Sequence, residues 1–138
     1  MTEEERAAIA ADQPPFALLL GLKVTSTDPD RVEAEMVVTP GLLNRNGVLH
    51  GGAIMALADN LGGTATFLNI APDEGTTTVE SKTNFFRAIA PGETVRAVSV
   101  PLHRGRSTQV WQTSILRADG TLAAMVTQTQ MVLRARRG

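Results

Sequence analysis

One segment of 17 residues constrains the fold of this chain more than any other. Residues 53–69 read AIMALADNLGGTATFLN, which shows no strand-like alternation and is apolar nearly all the way round. Such a pattern is typical of a helix that is buried on every side. A membrane span is not expected, because Asp59 would lie near its centre, where a carboxylate is costly. The sequence therefore predicts a helix about 25 Å long inside a protein core.

Long strand-like segments rich in Val, Thr and Ile follow this helix. They are separated by short turn-like sequences and occupy residues 76–89, 94–103, 107–117 and 122–134. Short turns make consecutive strands antiparallel. Long antiparallel strands beside one apolar helix predict an α+β fold in which the sheet curls around the helix and buries it.

The residues before the helix predict shorter elements. Helices are expected at residues 3–11 and 16–20, and strands at residues 22–27 and 31–38. The chain has 138 residues, which is enough for one domain and too short for two ordinary ones. We therefore expect a single domain over residues 1–138, with residues 1–15 as an N-terminal helical extension.

Composition excludes several kinds of site and partner. The chain has no cysteine, so a disulfide framework, a thiolate metal site and a cysteine nucleophile are excluded. Its net charge of −1 argues against a nucleic-acid-binding protein, which usually has a strong basic excess. The N-terminus reads MTEEER, unlike a signal peptide, and this is consistent with a cytoplasmic protein without a membrane segment.

Charge is unevenly distributed along the chain. Residues 1–69 contain nine acidic and four basic residues, whereas residues 70–138 contain five acidic and nine basic ones. A locally basic second half could bind an anionic ligand. Complementary packing between the halves, or between subunits, is the alternative.

Asp59 is the most unusual residue of the predicted helix. It is the only residue with a formal charge between Arg45 and Asp73. A carboxylate in apolar surroundings costs several kcal/mol unless it is paired or lines a solvated cleft. Three interpretations remain open: an ion pair with a distant arginine, a carboxylate that reaches solvent at an edge of the fold, or a functional carboxylate that faces a cleft.

Two pairs of glycines mark places where the backbone could be approached closely. Gly62 and Gly63 lie in the middle of the helix, where each costs about 1 kcal/mol, and we expect another backbone to pass near them. Gly51 and Gly52 follow His50 at the start of the helix. The first N–H groups of a helix lack intrahelical acceptors and can hold a developing oxyanion, worth about 3 kcal/mol per donor. A glycine turn with a capping histidine is the structural alternative.

The distance between these features favours a site built from two chains. Seven residues separate Gly52 from Asp59, or about 10 Å along a helix. A reacting carbonyl should lie about 3 Å from both the oxyanion donor and the attacking group. One chain hardly spans that gap, so we expect a dimer that brings Asp59 of one subunit to Gly51 of the other.

The loop and the helix together resemble a known family. The sequence NRNGVLHGG at residues 44–52, followed by Asp59 nine residues after the histidine, resembles the hotdog-fold acyl-CoA thioesterases of the phenylacetate-pathway type. The resemblance extends from about Phe16 onward and includes TTVESKTNFF at residues 77–86. It implies the hotdog fold, a long antiparallel sheet wrapped around one central helix.

The resemblance also implies an activity, which is hydrolysis of acyl-CoA thioesters to a free acid and coenzyme A. Asp59 would be the general base that activates water, with the nucleophile as the alternative role. The N–H group of Gly51 would polarise the thioester carbonyl, and Asn44 and His50 would position the thioester and support the loop. The hydroxyl group of Thr78 would hold the water, and Thr77 is the neighbouring candidate.

The same resemblance implies a homodimer, usually paired into a homotetramer, with no metal and no cofactor apart from the coenzyme A of the substrate. The positions expected to bind substrate are Gly52, Lys82, Arg87, Arg104 and Arg106. The four basic side chains would meet the coenzyme A phosphates, and ordinary solvated charges are the alternative. The basic residues at 134–137 are expected to be solvated.

Two other functions stay open on the sequence alone. One is a hydratase or dehydratase acting on acyl thioesters, and the other is a non-catalytic acyl-CoA-binding module. The acyl group is also open between aromatic and medium-chain aliphatic. Five apolar residues could line an acyl pocket or belong to the core: Leu42, Leu43, Leu57, Leu61 and Phe85.

Overall fold

The computed structural model of the chain describes residues 1–134, so Arg136 and Arg137 of the basic tail lie outside the described residues. A short 3₁₀ turn at Pro40–Leu42 precedes the central helix. The α-helices are α1 (Glu3–Ala11), α2 (Pro15–Leu20) and α3 (Gly51–Phe67). The strands are β1 (Lys23–Asp28), β2 (Arg31–Val37), β3 (Gly75–Phe85), β4 (Thr94–Arg104), β5 (Thr108–Leu116) and β6 (Leu122–Leu133). None of the helices described here is long and apolar enough to cross a membrane.

The strands form one antiparallel sheet, and α3 packs against it. The strand order is β1-β2-β4-β5-β6-β3, and α3 contacts every strand from β2 to β6. The largest apolar side chains between helix and sheet are fully buried: Val32, Met36, Leu57, Leu61, Trp111, Ile115 and Val126. The predicted α+β architecture, a long antiparallel sheet around one central helix, is confirmed.

The prediction that the central helix is buried on every side is wrong. Gly52, Met55, Asp59 and Phe67 are exposed, and their spacing places them on one stripe of α3. The sheet packs along the other side of the helix and leaves this stripe uncovered. Asp59 therefore lies at the surface of the chain rather than among apolar side chains.

Gly62 and Gly63 have different surroundings, and at neither position is another backbone the nearest neighbour of an added Cβ atom. A Cβ atom at Gly62 would lie 1.7 Å from Nε2 of Gln128, whereas a Cβ atom at Gly63 would meet nothing within 4 Å. Gln128 is a β6 side chain that is 1% exposed, so it cannot swing away freely. The prediction of a close backbone at these glycines is thus wrong, because a buried side chain occupies the space beside Gly62.

We expect Gly62→Ala and Gly63→Ala to change stability in opposite directions. The first substitution forces Gln128 out of its buried position and should lower the free energy of unfolding by about 1–3 kcal/mol. The second adds a methyl group in open space and should raise it by up to about 1 kcal/mol through helix propensity. Urea unfolding of both variants measures the difference, and equal midpoints would contradict the packing described for Gly62.

The strand predicted over residues 76–89 ends earlier, at Phe85. Beyond it, the N–H groups of Phe86 and Arg87 both donate to the carbonyl of Ala123, at 2.8 and 3.1 Å. The chain then leaves the sheet, and the carbonyl of Ile89 accepts a hydrogen bond from the N–H group of Leu49 at 2.9 Å. This bond ties the end of β3 to the loop that leads into α3.

Candidate active site

Asp59 is held by β3 and is not part of an ion pair. Its Oδ1 accepts a hydrogen bond from Oγ1 of Thr78 at 2.7 Å. The salt bridges found between residues 1 and 134 do not include Asp59. Of the interpretations left open by the sequence, an ion pair with an arginine among residues 1–134 is therefore wrong, and Asp59 is exposed. The carboxylate faces a cleft instead.

A chain of hydrogen bonds extends from Asp59 into the sheet. Nε2 of Gln130 donates to Oγ1 of Thr78 at 2.7 Å, and Oγ1 of Thr76 donates to Oε1 of Gln130 at 2.8 Å. Gln130 is only 1% exposed. Sequence reasoning missed this residue, and the available signal was a glutamine at a β6 position that strand alternation assigns to the core.

The cleft beside Asp59 has a volume of about 350 Å³. Thr78 and Gln130 form its polar wall, and Gly63 and Phe67 of α3 line it further along the helix. The end of α1 and the segment after it close another side with Ile9, Asp12, Gln13 and Pro14. The N-terminal extension thus contributes to the cleft, which no motif in its sequence indicated.

One hydrogen bond fixes that N-terminal segment on the central helix. Nδ2 of Asn60 donates to Oε1 of Gln13 at 2.8 Å, and Nε2 of Gln13 donates to the carbonyl of Ala10 at 2.9 Å. No residue of α1 is itself buried. The wall beside Asp59 therefore depends on these polar contacts and on Ile9, which is partly buried against the core.

The start of α3 presents one free backbone donor. His50 is the N-cap, and its Nδ1 accepts a hydrogen bond from the N–H group of Gly52 at 2.8 Å. The Gly52 donor is therefore occupied. In the part of the chain that the structure describes, no acceptor satisfies the N–H group of Gly51, the first residue of the helix. A free N–H group at the start of a helix can polarise a carbonyl.

Asn44 shapes the loop before the helix. Its Oδ1 accepts hydrogen bonds from the N–H groups of Asn46 and Val48, at 2.9 and 3.3 Å. Its backbone N–H donates to the carbonyl of Val48 at 2.8 Å, and Gly47 takes a φ of 75°, which favours glycine. Asn44 thus stabilises the conformation of the loop that precedes Gly51.

Gly51 and Asp59 open onto different clefts of the chain. The second cleft, of about 370 Å³, is lined by Asn44, Gly51, Phe85 and Arg87 among others. No residue lines both clefts. The structure therefore places the two halves of the predicted site apart within one chain, as their separation along the helix requires.

The basic residues predicted to bind phosphates are spread over the surface. Arg87 lines the cleft of Gly51, where one guanidinium nitrogen donates to the carbonyl of Leu122 at 2.6 Å. Arg104 forms a salt bridge with Asp30 at 2.7 Å and donates to Oδ1 of Asn69 at 3.0 Å. Lys82 and Arg106 are exposed.

The candidate acyl-pocket residues lie in different environments. Leu57 and Leu61 are fully buried and belong to the core. Leu42 and Leu43 are partly buried and pack against that core. Phe85 is 52% exposed and lies beside Gly51, where a Cβ atom would be 3.2 Å from its ring. Of these side chains, Phe85 is the one that faces a cleft.

Comparisons with known sequences identify thioesterases as relatives of this chain. The profile of the thioesterase superfamily matches residues 46–124. The chain is 37% identical to the proofreading thioesterase EntH of Cronobacter turicensis over 101 residues, which is 73% of each protein.

Solved structures share the fold of this protein over almost the whole chain. The crystal structure of thioesterase HI1161 from Haemophilus influenzae superposes with a TM-score of 0.85 at 27% identity, and covers 97% of this chain and 92% of that one. The PaaI protein from the E. coli phenylacetic acid degradation operon gives a TM-score of 0.85 at 22% identity, and covers 96% and 93%. The second similarity concerns the fold alone.

Proposed function

Because the chain belongs to the thioesterase superfamily and has the predicted hotdog fold, we propose that it hydrolyses acyl-CoA thioesters to a free acid and coenzyme A. The observation that carries this proposal is the carboxylate of Asp59, which has no cationic partner within residues 1–134 and borders a cleft. A carboxylate in that state can accept a proton from water.

Each step of the proposed reaction has a group to carry it. Thr78 occupies Oδ1 of Asp59, which leaves Oδ2 to take a proton from a water molecule. The water oxygen attacks the thioester carbonyl carbon, and the carbonyl oxygen becomes an oxyanion that accepts the N–H hydrogen bond of Gly51. The carbon–sulfur bond then breaks, the sulfur leaves with the electron pair, and the proton held by Asp59 neutralises it.

The proposed site requires a second copy of the chain. β3 forms one edge of the sheet, and its Val79 and Phe85 side chains are each more than half exposed. Long exposed edge strands are usually covered or paired. If two β3 strands paired antiparallel about the peptide between Ser81 and Lys82, Thr78 of one chain would lie opposite Phe85 of its partner.

That pairing would assemble the site. Thr78 holds Asp59, and Phe85 lies against Gly51, so the two clefts would meet across the dimer. We therefore propose a homodimer with two composite sites, paired further into a homotetramer. His50 and Asn44 support the half of the site that contains the Gly51 N–H group. The Thr78 hydroxyl group donates its hydrogen to Asp59, so it can bind water only through its remaining lone pair.

Among the basic residues, Arg87 is the first candidate for a coenzyme A phosphate, because it lines the same cleft as Gly51. Lys82 is the second, since it lies on the proposed β3 interface. Arg106 remains a candidate at the surface, and Arg104 would first have to leave Asp30. The coenzyme A is part of the substrate, so the proposed reaction needs no further cofactor.

A panel of acyl-CoA substrates tests the reaction. We expect release of free thiol from at least one of short-chain, medium-chain and aromatic acyl-CoA, measured with a thiol reagent. Tight binding of these thioesters without thiol release would favour a non-catalytic module. Loss of enoyl-CoA absorbance without thiol release would favour a hydratase. Either result would contradict the proposed hydrolysis.

A further inference from the structure

Gln130 is a buried amide whose hydrogen bonds lead only toward the candidate active site. It lies on β6 between Thr129 and Met131 and is 1% exposed. A buried amide is costly unless its donor and acceptor are both used. Its nitrogen donates to Thr78 at 2.7 Å, and its oxygen lies 2.8 Å from Oγ1 of Thr76, whose single hydrogen it shares with the carbonyl of Met131 at 3.0 Å.

The direction of these hydrogen bonds follows from the charge of Asp59. An ionised carboxylate can only accept, so the single hydrogen of the Thr78 hydroxyl group points to Oδ1 of Asp59. The oxygen of Thr78 must then accept from its other neighbour, which is Nε2 of Gln130. With its amide reversed, Gln130 would take the hydrogen of Thr78 and leave Asp59 without this donor.

We propose that Gln130 is a positioning residue for thioester hydrolysis. It fixes the Thr78 hydroxyl group so that this group donates to Oδ1 of Asp59, and the carboxylate is thereby held with Oδ2 free for water. Gln130 lines the cleft but is only 1% exposed, and it acts through its hydrogen bond to Thr78. This inference rests on the proposed function and names a residue that the family resemblance did not include.

Gln130→Glu and Gln130→Leu test the proposal in the full-length protein. In the first variant the introduced carboxylate accepts from Thr76 as before, but it also draws the hydrogen of Thr78 away from Asp59. The second variant removes both hydrogen bonds. We expect kcat to fall about 10- to 100-fold in each, with KM changed less than about threefold, because misplacement of a catalytic group affects the chemical step.

Gln109→Leu is the matched control. Gln109 lies directly opposite Gln130 in the pairing of β5 with β6 and is 2% exposed. Its amide contacts Trp111 and the carbonyl of Asn69, and it makes no hydrogen bond to Thr78. This variant loses a comparable buried amide, so we expect a similar drop in melting temperature with kcat unchanged.

A double variant separates positioning from general damage to the core. If Gln130 acts through Thr78, then Gln130→Leu should lower kcat no further in a Thr78→Val background. An undiminished effect in that background, or wild-type kcat in both Gln130 variants, would overturn the inference. If, in those cases, the wild-type protein releases thiol and the Asp59→Asn variant does not, the proposed function stands. A wild-type protein that releases no thiol would overturn both.

Discussion

The variant Asp59→Asn is expected to hydrolyse acyl-CoA thioesters about 10²- to 10⁴-fold more slowly than the wild-type protein. General-base catalysis contributes about 10²- to 10⁴-fold, and an amide cannot take the proton from water. The fold should persist, because Asp59 is exposed and asparagine has the same shape. Thiol release under saturating substrate, together with the melting temperature, measures both parts of this expectation.

A second carboxylate of the same cleft provides a comparison for charge. Asp12 lines the cleft, but no hydrogen bond to Thr78 holds it there. We expect Asp12→Asn to change kcat by less than about tenfold, since it alters the local potential without removing the base. If Asp59→Asn kept a tenth or more of the wild-type rate, Asp59 would not be the base. A single turnover in ¹⁸O water tests base against nucleophile: the base mechanism puts no label in the protein, whereas an anhydride hydrolysed at the Asp59 carbonyl carbon leaves the label in the Asp59 side chain.

The sequence predicted what depends on local pattern. Alternation and turn signals located the strands β4 to β6 within one or two residues, and the apolar segment located α3. The capping histidine, the two glycines after it and the isolated charge of Asp59 are also local features. They were recognisable because a histidine followed by two glycines at a helix start, and a single charge in an apolar helix, are unusual for ordinary core or loop residues.

Contacts between distant segments were not predictable in the same way. Gln130 meets Thr78 only because β3 pairs with β6 in one register, 52 residues apart along the chain. Gln13 reaches Asn60 because α1 and the segment after it lie against α3. The side-chain neighbour of Gly62 has the same origin. Periodicity shows that a position faces inward, and it does not show which side chain comes opposite.

The exposed stripe on α3 shows a different limit of prediction from the sequence. An apolar helix pattern was interpreted as burial within one chain, whereas Met55 and Phe67 are 39% and 43% exposed. Such residues reach full burial only if another surface covers them. The pattern therefore reflects the proposed assembly as much as the fold of one chain, and the sequence contains no mark that separates the two.

Gly51→Pro is expected to lower kcat about 10²- to 10³-fold, whereas Gly51→Ala should lower it far less. Proline removes the one N–H group that would hold the oxyanion, and loss of such a donor has effects of this size. Proline is well tolerated at the first position of a helix, and His50 before it has the extended backbone that a following proline requires. Both variants place a Cβ atom 3.2 Å from the ring of Phe85, so that contact is matched. Equal loss in the two variants would assign the effect to crowding rather than to the missing donor.

Mixing the two inactive variants tests whether the site is shared between chains. In a mixed dimer of Asp59→Asn and Gly51→Pro chains, one composite site would combine the intact Asp59 of one chain with the intact Gly51 of the other. The second site would carry both defects. Random exchange of subunits should therefore restore about a quarter of the wild-type activity, because half of the dimers are mixed and each has one working site. A site contained within a single chain would stay inactive in every combination, and the absence of recovery after verified exchange would contradict the proposed dimer.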